Sequence, residues 1–198
     1  MARPSRKAER RMQILDAYGL CLSEYGVKGA TLEKVSEKAG LARALIRHNV
    51  GNREQLFDAY IEYFIGQSTD ALDQLYKALP ATERLKALVA YLFDVSISDR
   101  QITQISFALL IQASHEPYLA RIMNDWSDSF LNLLKKVIQE DYPNAQNSLI
   151  ETIAYGIMSL SYNVDSTALT GIQSSARIAS HAAATLLIAE LDRSNPDS

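Results

Sequence analysis

The 198-residue sequence contains one cysteine, Cys21, and three histidines. A single thiol excludes an internal disulfide and a zinc site built from cysteines, because both need at least two. The histidines, His48, His115 and His181, lie far apart, and none has a second histidine or a cysteine at the spacing of metal ligands. We therefore expect neither a metal site nor a cofactor, and we interpret Cys21 as a core residue.

The sequence also lacks a long apolar run. No segment approaches the roughly 20 apolar residues that span a membrane, and no apolar stretch of a signal peptide follows the first residues, MARPSRKAERR. Hydrophobic residues make up 47% of the chain and charged residues 22%, which is the balance of a soluble globular protein. We expect a cytoplasmic protein that does not contact a membrane.

Motifs of catalysis are missing as well. The sequence has no Ser-His-Asp set, no pair of acidic residues with supporting spacing and no glycine-rich phosphate loop. An all-helical enzyme is therefore the disfavoured alternative, and we predict no catalytic residue.

Positive charge is concentrated near the amino terminus. Residues 1–60 contain eleven lysines and arginines against seven acidic residues, a surplus of +4, whereas the rest contains nine basic and sixteen acidic residues, which is −7. A basic end on an acidic body is typical of a protein that presents one end to phosphates. Taken alone, a modest basic surplus more often marks a solvated surface.

Apolar residues recur at helical spacing along nearly the whole chain, and no stretch shows a convincing period of two. We predict an all-α fold of about nine helices. Beyond Pro80 the predicted helices are 83–95, 101–113, 117–140, 146–162 and 173–191. Three segments are predicted to be irregular: a basic tail over 1–11 that leads into the first helix, a polar loop over 164–172 and a frayed tail over 192–198.

Two short helical patterns, 31–39 and 42–49, are separated by Gly40, which suits a left-handed helix end. Thr31 is a suitable N-cap for the first. At about 100° per residue, the second helix places two sets of residues on opposite sides. The outward set is Arg43, Ala44, Arg47 and His48, and the inward set is Ala42, Leu45, Ile46 and Asn49.

A further helix begins after Asn52, because Asn52 followed by Gln55 resembles a capping box. Its apolar pattern extends to Leu79. Gly66 and the polar residues 67–70 leave open whether this helix is continuous.

The segment 14–60 resembles the DNA-binding domain of the TetR family of bacterial transcriptional regulators. The matching residues are Ile14, Leu15, Ala17, Leu22, Gly26, Thr31, Val35, Ala39, Gly40, Ile46, His48, Val50, Asn52, Arg53, Glu54 and Leu56. Beyond residue 60 the resemblance concerns architecture only. It implies a helix-turn-helix DNA-binding domain over 7–67, followed by a larger helical ligand-binding and dimerisation domain over 68–198.

The resemblance implies a homodimeric regulator, more often a repressor than an activator, that a small-molecule inducer releases from a palindromic double-stranded DNA operator. An activator stays open as an alternative. So does a helical module that docks its basic end on an acidic partner protein without binding an operator.

The second helix of the helix-turn-helix is then expected to enter the major groove. The predicted DNA-binding residues are Thr31, Ala42, Arg43, Ala44, Leu45, Arg47, His48, Asn49 and Arg53. Arg43 and Arg47 are the candidates for reading guanine, while Thr31, Arg53 and the tail from Arg3 to Arg10 are expected to hold phosphates. Outside this motif, a surface arginine is usually only solubilising, and His48 is equally well interpreted as a packing residue.

Some residues depart from the family pattern. The family usually begins its recognition helix with a Ser-Lys-Gly-Thr-like run, where this chain has Ala42 to Leu45, and it usually has an aromatic residue at the position of Arg47. The operator sequence therefore cannot be transferred from relatives.

The resemblance also implies an inducer cavity and a dimer interface in the second domain. The candidate cavity residues are Phe93, Phe107, Gln112, Met123, Trp126, Phe130, Tyr155 and Met158; the alternative is that each is ordinary core. Residues 146–162 and 173–191 are expected to form a four-helix bundle with a second copy, the alternative being an internal hairpin.

Overall fold

The computed structural model describes residues 6–94, 96, 99–170 and 173–195. Over these residues the chain forms nine α-helices and no β-strand, which confirms the predicted fold class. The helices are α1 (Arg6–Gly29), α2 (Leu32–Ala39), α3 (Arg43–Val50), α4 (Arg53–Ala78), α5 (Arg84–Leu92), α6 (Arg100–Ala113), α7 (Pro117–Asp141), α8 (Asn147–Leu169) and α9 (Gln173–Ser194).

The chain divides into two units. The first comprises Met1–Thr69 with Gln104–Met123, and the second comprises Asp70–Thr103 with Asn124–Ser198. The segment 104–123, which the sequence prediction placed in the second domain, thus groups with the first unit. The functional division into 7–67 and 68–198 stays a prediction.

The core of the helix-turn-helix is formed by one apolar face from each of α1 to α4. Cys21 is fully buried in it, as predicted. Tyr18 of α1 meets Tyr60 of α4 edge to face, with 5.3 Å between ring centroids. Gly19 permits this approach, because a Cβ added there would lie 2.7 Å from the Tyr60 hydroxyl oxygen. The remaining large side chains of the core include Ile14, Leu22, Ile46, Leu56, Ile61 and Phe64.

Helix α4 is continuous from Arg53 to Ala78, so the interruption considered at Gly66 is absent. A glycine inside a helix costs only about 1 kcal/mol relative to alanine. That cost is too small to end a helix that buries Ile61 and Phe64 in the preceding turn and half-buries Leu72 and Leu75 in the following ones.

The second unit is built on a large apolar cluster from α5, α7, α8 and α9. Around it, the Tyr76 hydroxyl donates a hydrogen bond to the Glu140 carboxylate at 2.6 Å. The same carboxylate lies 2.9 Å from Nε of Arg84. These contacts join the carboxyl end of α4 to α5 and α7.

Helix α8 is longer than predicted, and it includes residues 164–169 of the expected polar loop. Val164 and Ala168 are buried and continue the helical spacing of Ile157 and Ser161. The loop prediction was wrong there, because it weighed the polar residues between them more than this spacing. Residues 171 and 172 lie outside the described residues.

Both termini are more helical than predicted. Helix α1 already begins at Arg6, which places residues 6–11 in a helix rather than a tail. Helix α9 continues through Ser194. Residues 1–5 and 196–198 lie outside the described residues.

Candidate nucleic-acid interface

Side-chain hydrogen bonds fix the turn between α2 and α3. Gly40 ends α2 with φ 62° and ψ 33°, the left-handed conformation predicted for it. The Ser36 hydroxyl donates to the Leu41 carbonyl oxygen across the turn. The Gln13 side-chain amide of α1 donates to the Ala39 carbonyl oxygen at 2.8 Å. The orientation of α3 relative to α1 and α2 is therefore set by polar contacts as well as by packing.

Helix α3 exposes the predicted outward set. Arg43, Ala44, Arg47 and His48 are exposed. On the opposite side, Ile46 is fully buried and Val50 nearly so. Two arginines thus stand one turn apart on an exposed helix surface, with the buried side of the helix holding them in place.

Three residues of the inward set behave differently from Ile46. Ala42 is exposed, contrary to the prediction, because it precedes α3 as an extended N-cap residue with φ −61° and ψ 140°. Leu45 is half-buried. Asn49 is also half-buried, and its side-chain amide donates to the Leu45 carbonyl oxygen at 2.8 Å.

Thr31 caps α2 as predicted. Its hydroxyl oxygen accepts a hydrogen bond from the Lys34 backbone nitrogen at 3.4 Å. The Lys34 ammonium lies 3.6 Å from the centroid of the Tyr25 ring. Lys38 forms an ion pair with Glu24 and lowers the pKa of that carboxyl group. Thr31 and Lys34 lie at the amino end of α2, and the backbone N–H groups at a helix amino end favour a bound anion.

Arg53 occupies the first turn of α4, but its guanidinium group turns back to α1. One terminal nitrogen, Nη2, donates to the carbonyl oxygens of Val27 at 2.8 Å and Lys28 at 3.2 Å. The basic residues between Arg3 and Arg10, which are predicted to contact phosphates, differ in position and exposure. Arg6 and Lys7 are exposed on the first turn of α1 and Arg10 is half-buried, whereas Arg3 lies outside the described residues.

Comparison with known proteins also indicates a transcriptional regulator. No family model matches the sequence. The HTH-type transcriptional regulator BetI of Escherichia coli K12 is 27% identical over 154 residues, which cover 76% of this chain and 77% of BetI. A protein of Pseudomonas aeruginosa PAO1 described as a transcriptional regulator shares the fold with a TM-score of 0.76 and 18% identity, over 96% of this chain and 93% of that one.

A protein of Mesorhizobium loti described as a TetR-family transcriptional regulator shares the fold with a TM-score of 0.73 and 16% identity, over 96% of this chain and 98% of that one. These similarities support the resemblance to TetR-family transcriptional regulators. Members of this class are DNA-binding regulators and not enzymes. Among the described residues, every helix is too short or too polar to cross a membrane.

The helix-turn-helix depends on contacts that the sequence prediction missed. Gln13, Ser36 and Arg53 each bond a backbone carbonyl oxygen that lies across a turn or on another helix. The Ser36 hydrogen bond could have been predicted, because a serine hydroxyl close to a glycine turn often hydrogen-bonds to the backbone of that turn. Gln13 and Arg53 act over 26 residues of sequence, and no spacing rule predicts such a pair.

The candidate inducer residues fall in both units. In the second unit, Phe93 and Met158 belong to the apolar cluster, Phe130 packs against it and Trp126 is half-buried. Tyr155 is 61% exposed on α8. The other three belong to the first unit, where Met123 is buried, Phe107 and Gln112 are half-buried, and the Gln112 amide donates to Glu116.

The predicted dimerisation segments lie on α8 and α9, which pack against each other. Their outer surfaces expose three large apolar side chains: Tyr155 at 61%, Ile178 at 72% and Leu186 at 70%. Small residues, among them Ala179 and Ala182, are exposed on the same helix as Ile178 and Leu186. A surface of this composition is suited to close contact between helices.

Proposed function

We propose that the protein is a dimeric repressor that binds a palindromic operator through α3 and is released from it by a small-molecule inducer. The observation that carries the proposal is the exposed pair Arg43 and Arg47, one turn apart on a helix anchored by Ile46 and Val50. In helix-turn-helix proteins, an exposed helix face of this kind enters the major groove.

The two arginines supply the base readout. A guanidinium fork matches the O6 and N7 acceptors of guanine in the major groove. Ala44 between them is small enough for close approach and meets a thymine methyl group. Leu45, His48 and Asn49 flank the pair, and exposed Ala42 lies at the start of the helix. Thr31 and the basic first turns of α1 contact phosphates, which fix the register without reading sequence.

Dimerisation brings two helix-turn-helix units, each of which we call a DNA-binding head, to one duplex. Tyr155, Ile178 and Leu186 would leave water at the interface, and burying a large apolar side chain is worth about 1.5–3 kcal/mol. A twofold dimer requires a DNA site with matching symmetry, since each head meets an equivalent half-site.

The inducer is proposed to act on the larger domain, where Phe93 and Met158 belong to the apolar cluster, Phe130 packs against it and Trp126 is half-buried. An inducer must bind the released state more tightly than the DNA-bound state, since it shifts the equilibrium only by that difference. Helix α4 is the element that transmits the change, because it runs unbroken from the head to Ala78.

Selection of bound fragments from genomic DNA tests the proposal. We expect enrichment of one palindromic sequence, with affinity that falls steeply as salt rises. Fragments without twofold symmetry, or no enrichment, would refute operator binding by a dimer and favour the protein-interaction module. In vitro transcription from a promoter that contains the selected site then separates a repressor from an activator by the direction of the change.

A further inference from the structure

Residues 26–31 comprise the end of α1 after its break at Gly26 and the turn that leads into α2. Gly26 interrupts α1 with φ 65° and ψ 178°, a conformation that favours glycine. After it, the Ala30 nitrogen bonds the Gly26 carbonyl oxygen at 3.1 Å, and the Thr31 nitrogen bonds that of Gly29 at 3.0 Å. The connection 26–31 ends at the N-cap of α2, so its conformation determines where α2 begins.

The carbonyl oxygens of Val27 and Lys28 both point to Arg53. Carbonyl groups at a helix end have no partner within the helix, and a cation placed there is favourable both as a donor and through the helix dipole. Nη2 of Arg53 serves both oxygens, at 2.8 and 3.2 Å. The first residue of α4 is thereby tied to the connection that precedes α2.

The positive charge of Arg53 also acts on Tyr18 of α1. Burial raises the pKa of Tyr18 to about 12, and the positive charge of Arg53 opposes that rise.

We infer that Arg53 is a positioning residue of the DNA-binding head, which holds the connection 26–31 against the first turn of α4, and not a phosphate contact. The inference rests on the proposed function for its effect on DNA, and on the contacts within the head for its effect on the connection. The link also couples α4 to the start of α2, so a displacement of the first turn of α4 is passed directly to the helix-turn-helix.

Two measurements on Arg53→Gln separate positioning from phosphate binding. The first is hydrogen exchange without DNA, in which we expect the amides of Ala30 and Thr31 to exchange about tenfold faster, because the connection loses its link to α4. The second is the salt dependence of binding to a selected operator duplex. Affinity should fall about three- to tenfold at every salt concentration, with an unchanged slope of log K against log salt.

Lys28→Gln is the matched control, because it removes a positive charge from the same connection but leaves the Arg53 contacts in place. Its exchange at Ala30 and Thr31 should equal that of the wild type. Circular dichroism of both variants checks that the helices are retained.

Unchanged exchange in Arg53→Gln would overturn the inference. A slope reduced by about 0.9 for each head would also overturn it, since that is the signature of a lost phosphate contact. If the wild type binds no duplex, the proposed function fails, but the exchange experiment still decides whether Arg53 holds the connection.

Discussion

Asn52 and Gln55 hydrogen bond to each other's backbone at the start of α4. The Gln55 nitrogen donates to Asn52 Oδ1, and the Asn52 nitrogen donates to Gln55 Oε1, both at 2.9 Å. This capping box, predicted from the sequence, satisfies two backbone N–H groups at once. It fixes where α4 begins, next to the carboxyl end of α3.

Removal of this cap should destabilise the head. We expect Asn52→Ala to lower the free energy of unfolding by about 1 kcal/mol, because the bond from the Gln55 nitrogen depends on the Asn52 side chain. Urea denaturation followed by circular dichroism measures the change. Asn132→Ala, an exposed asparagine on α7, is the control and should not lower stability; an unchanged midpoint for Asn52→Ala would contradict the role of the cap.

Two glycines in helices should respond to alanine in opposite directions. At Gly66 a Cβ meets no atom within 4 Å, so Gly66→Ala should stabilise the protein by about 0.5–1 kcal/mol through helix propensity. At Gly19 the Cβ would lie 2.7 Å from the Tyr60 hydroxyl, so Gly19→Ala should cost about 1–3 kcal/mol by overpacking. Thermal denaturation of the two variants side by side tests this, and a shift in the same direction for both would contradict it.

Helical spacing was sufficient to predict much of the fold. It placed Ile46 on the buried side of α3 and Arg43 and Arg47 on the exposed side, because one face of a short helix must pack. It was insufficient at the end of α8, where the buried Val164 and Ala168 keep the periodicity but polar residues dominate the composition. Element type follows from periodicity, whereas the end of an element depends on what packs against its last turn.

Contacts between distant residues were beyond prediction. Gln13 bonds the Ala39 carbonyl oxygen and Arg53 bonds that of Val27, in each case across 26 residues. In both cases the acceptor is a backbone carbonyl oxygen, and because every residue has one, the sequence does not distinguish it. The role predicted for Arg53, a phosphate contact, followed from its charge and its place in the motif. Its hydrogen bonds depend on how the start of α4 packs against the end of α1, which the sequence does not specify.

Tyrosines with a raised pKa should make the head sensitive to alkali. The pKa of Tyr18 and that of Tyr63 are both raised to about 12, in each case first by burial, and for Tyr63 also by its hydrogen bond to Asp16. A phenol with a raised pKa keeps its proton longer in the folded state, so stability is complete below pH 10 and declines as the pH rises from about 10 to 12.

Urea denaturation at about pH 9 and pH 11.5 measures this decline. Tyr63→Phe removes one of the phenols with a raised pKa, so the variant should lose less stability over the same interval than the wild type does. Equal losses in the two proteins would show that Tyr63 does not contribute.

The exposed apolar residues of α8 and α9 predict the oligomeric state. We expect the wild type to sediment as a dimer at micromolar concentration and Leu186→Glu as a monomer, because a carboxylate would be buried without a partner at the interface. Ile111→Glu is the matched control, since Ile111 is 67% exposed on α6 and lies outside both helices. A monomeric wild type would refute the dimer.

Arg43 and Arg47 should set operator affinity and base preference together. Replacement of either by alanine removes one guanidinium fork, which should cost about 1–3 kcal/mol in binding and relax the preference at one base pair. Titration of each variant against the selected operator and against duplexes changed at single positions measures both effects. Lys77→Ala is the control, because Lys77 is an exposed cation paired with Asp73 at the far end of α4 and should bind as the wild type does. If both arginine variants bound with wild-type affinity and unchanged preference, the two arginines would be solubilising surface residues, and base readout would have to come from another part of the head.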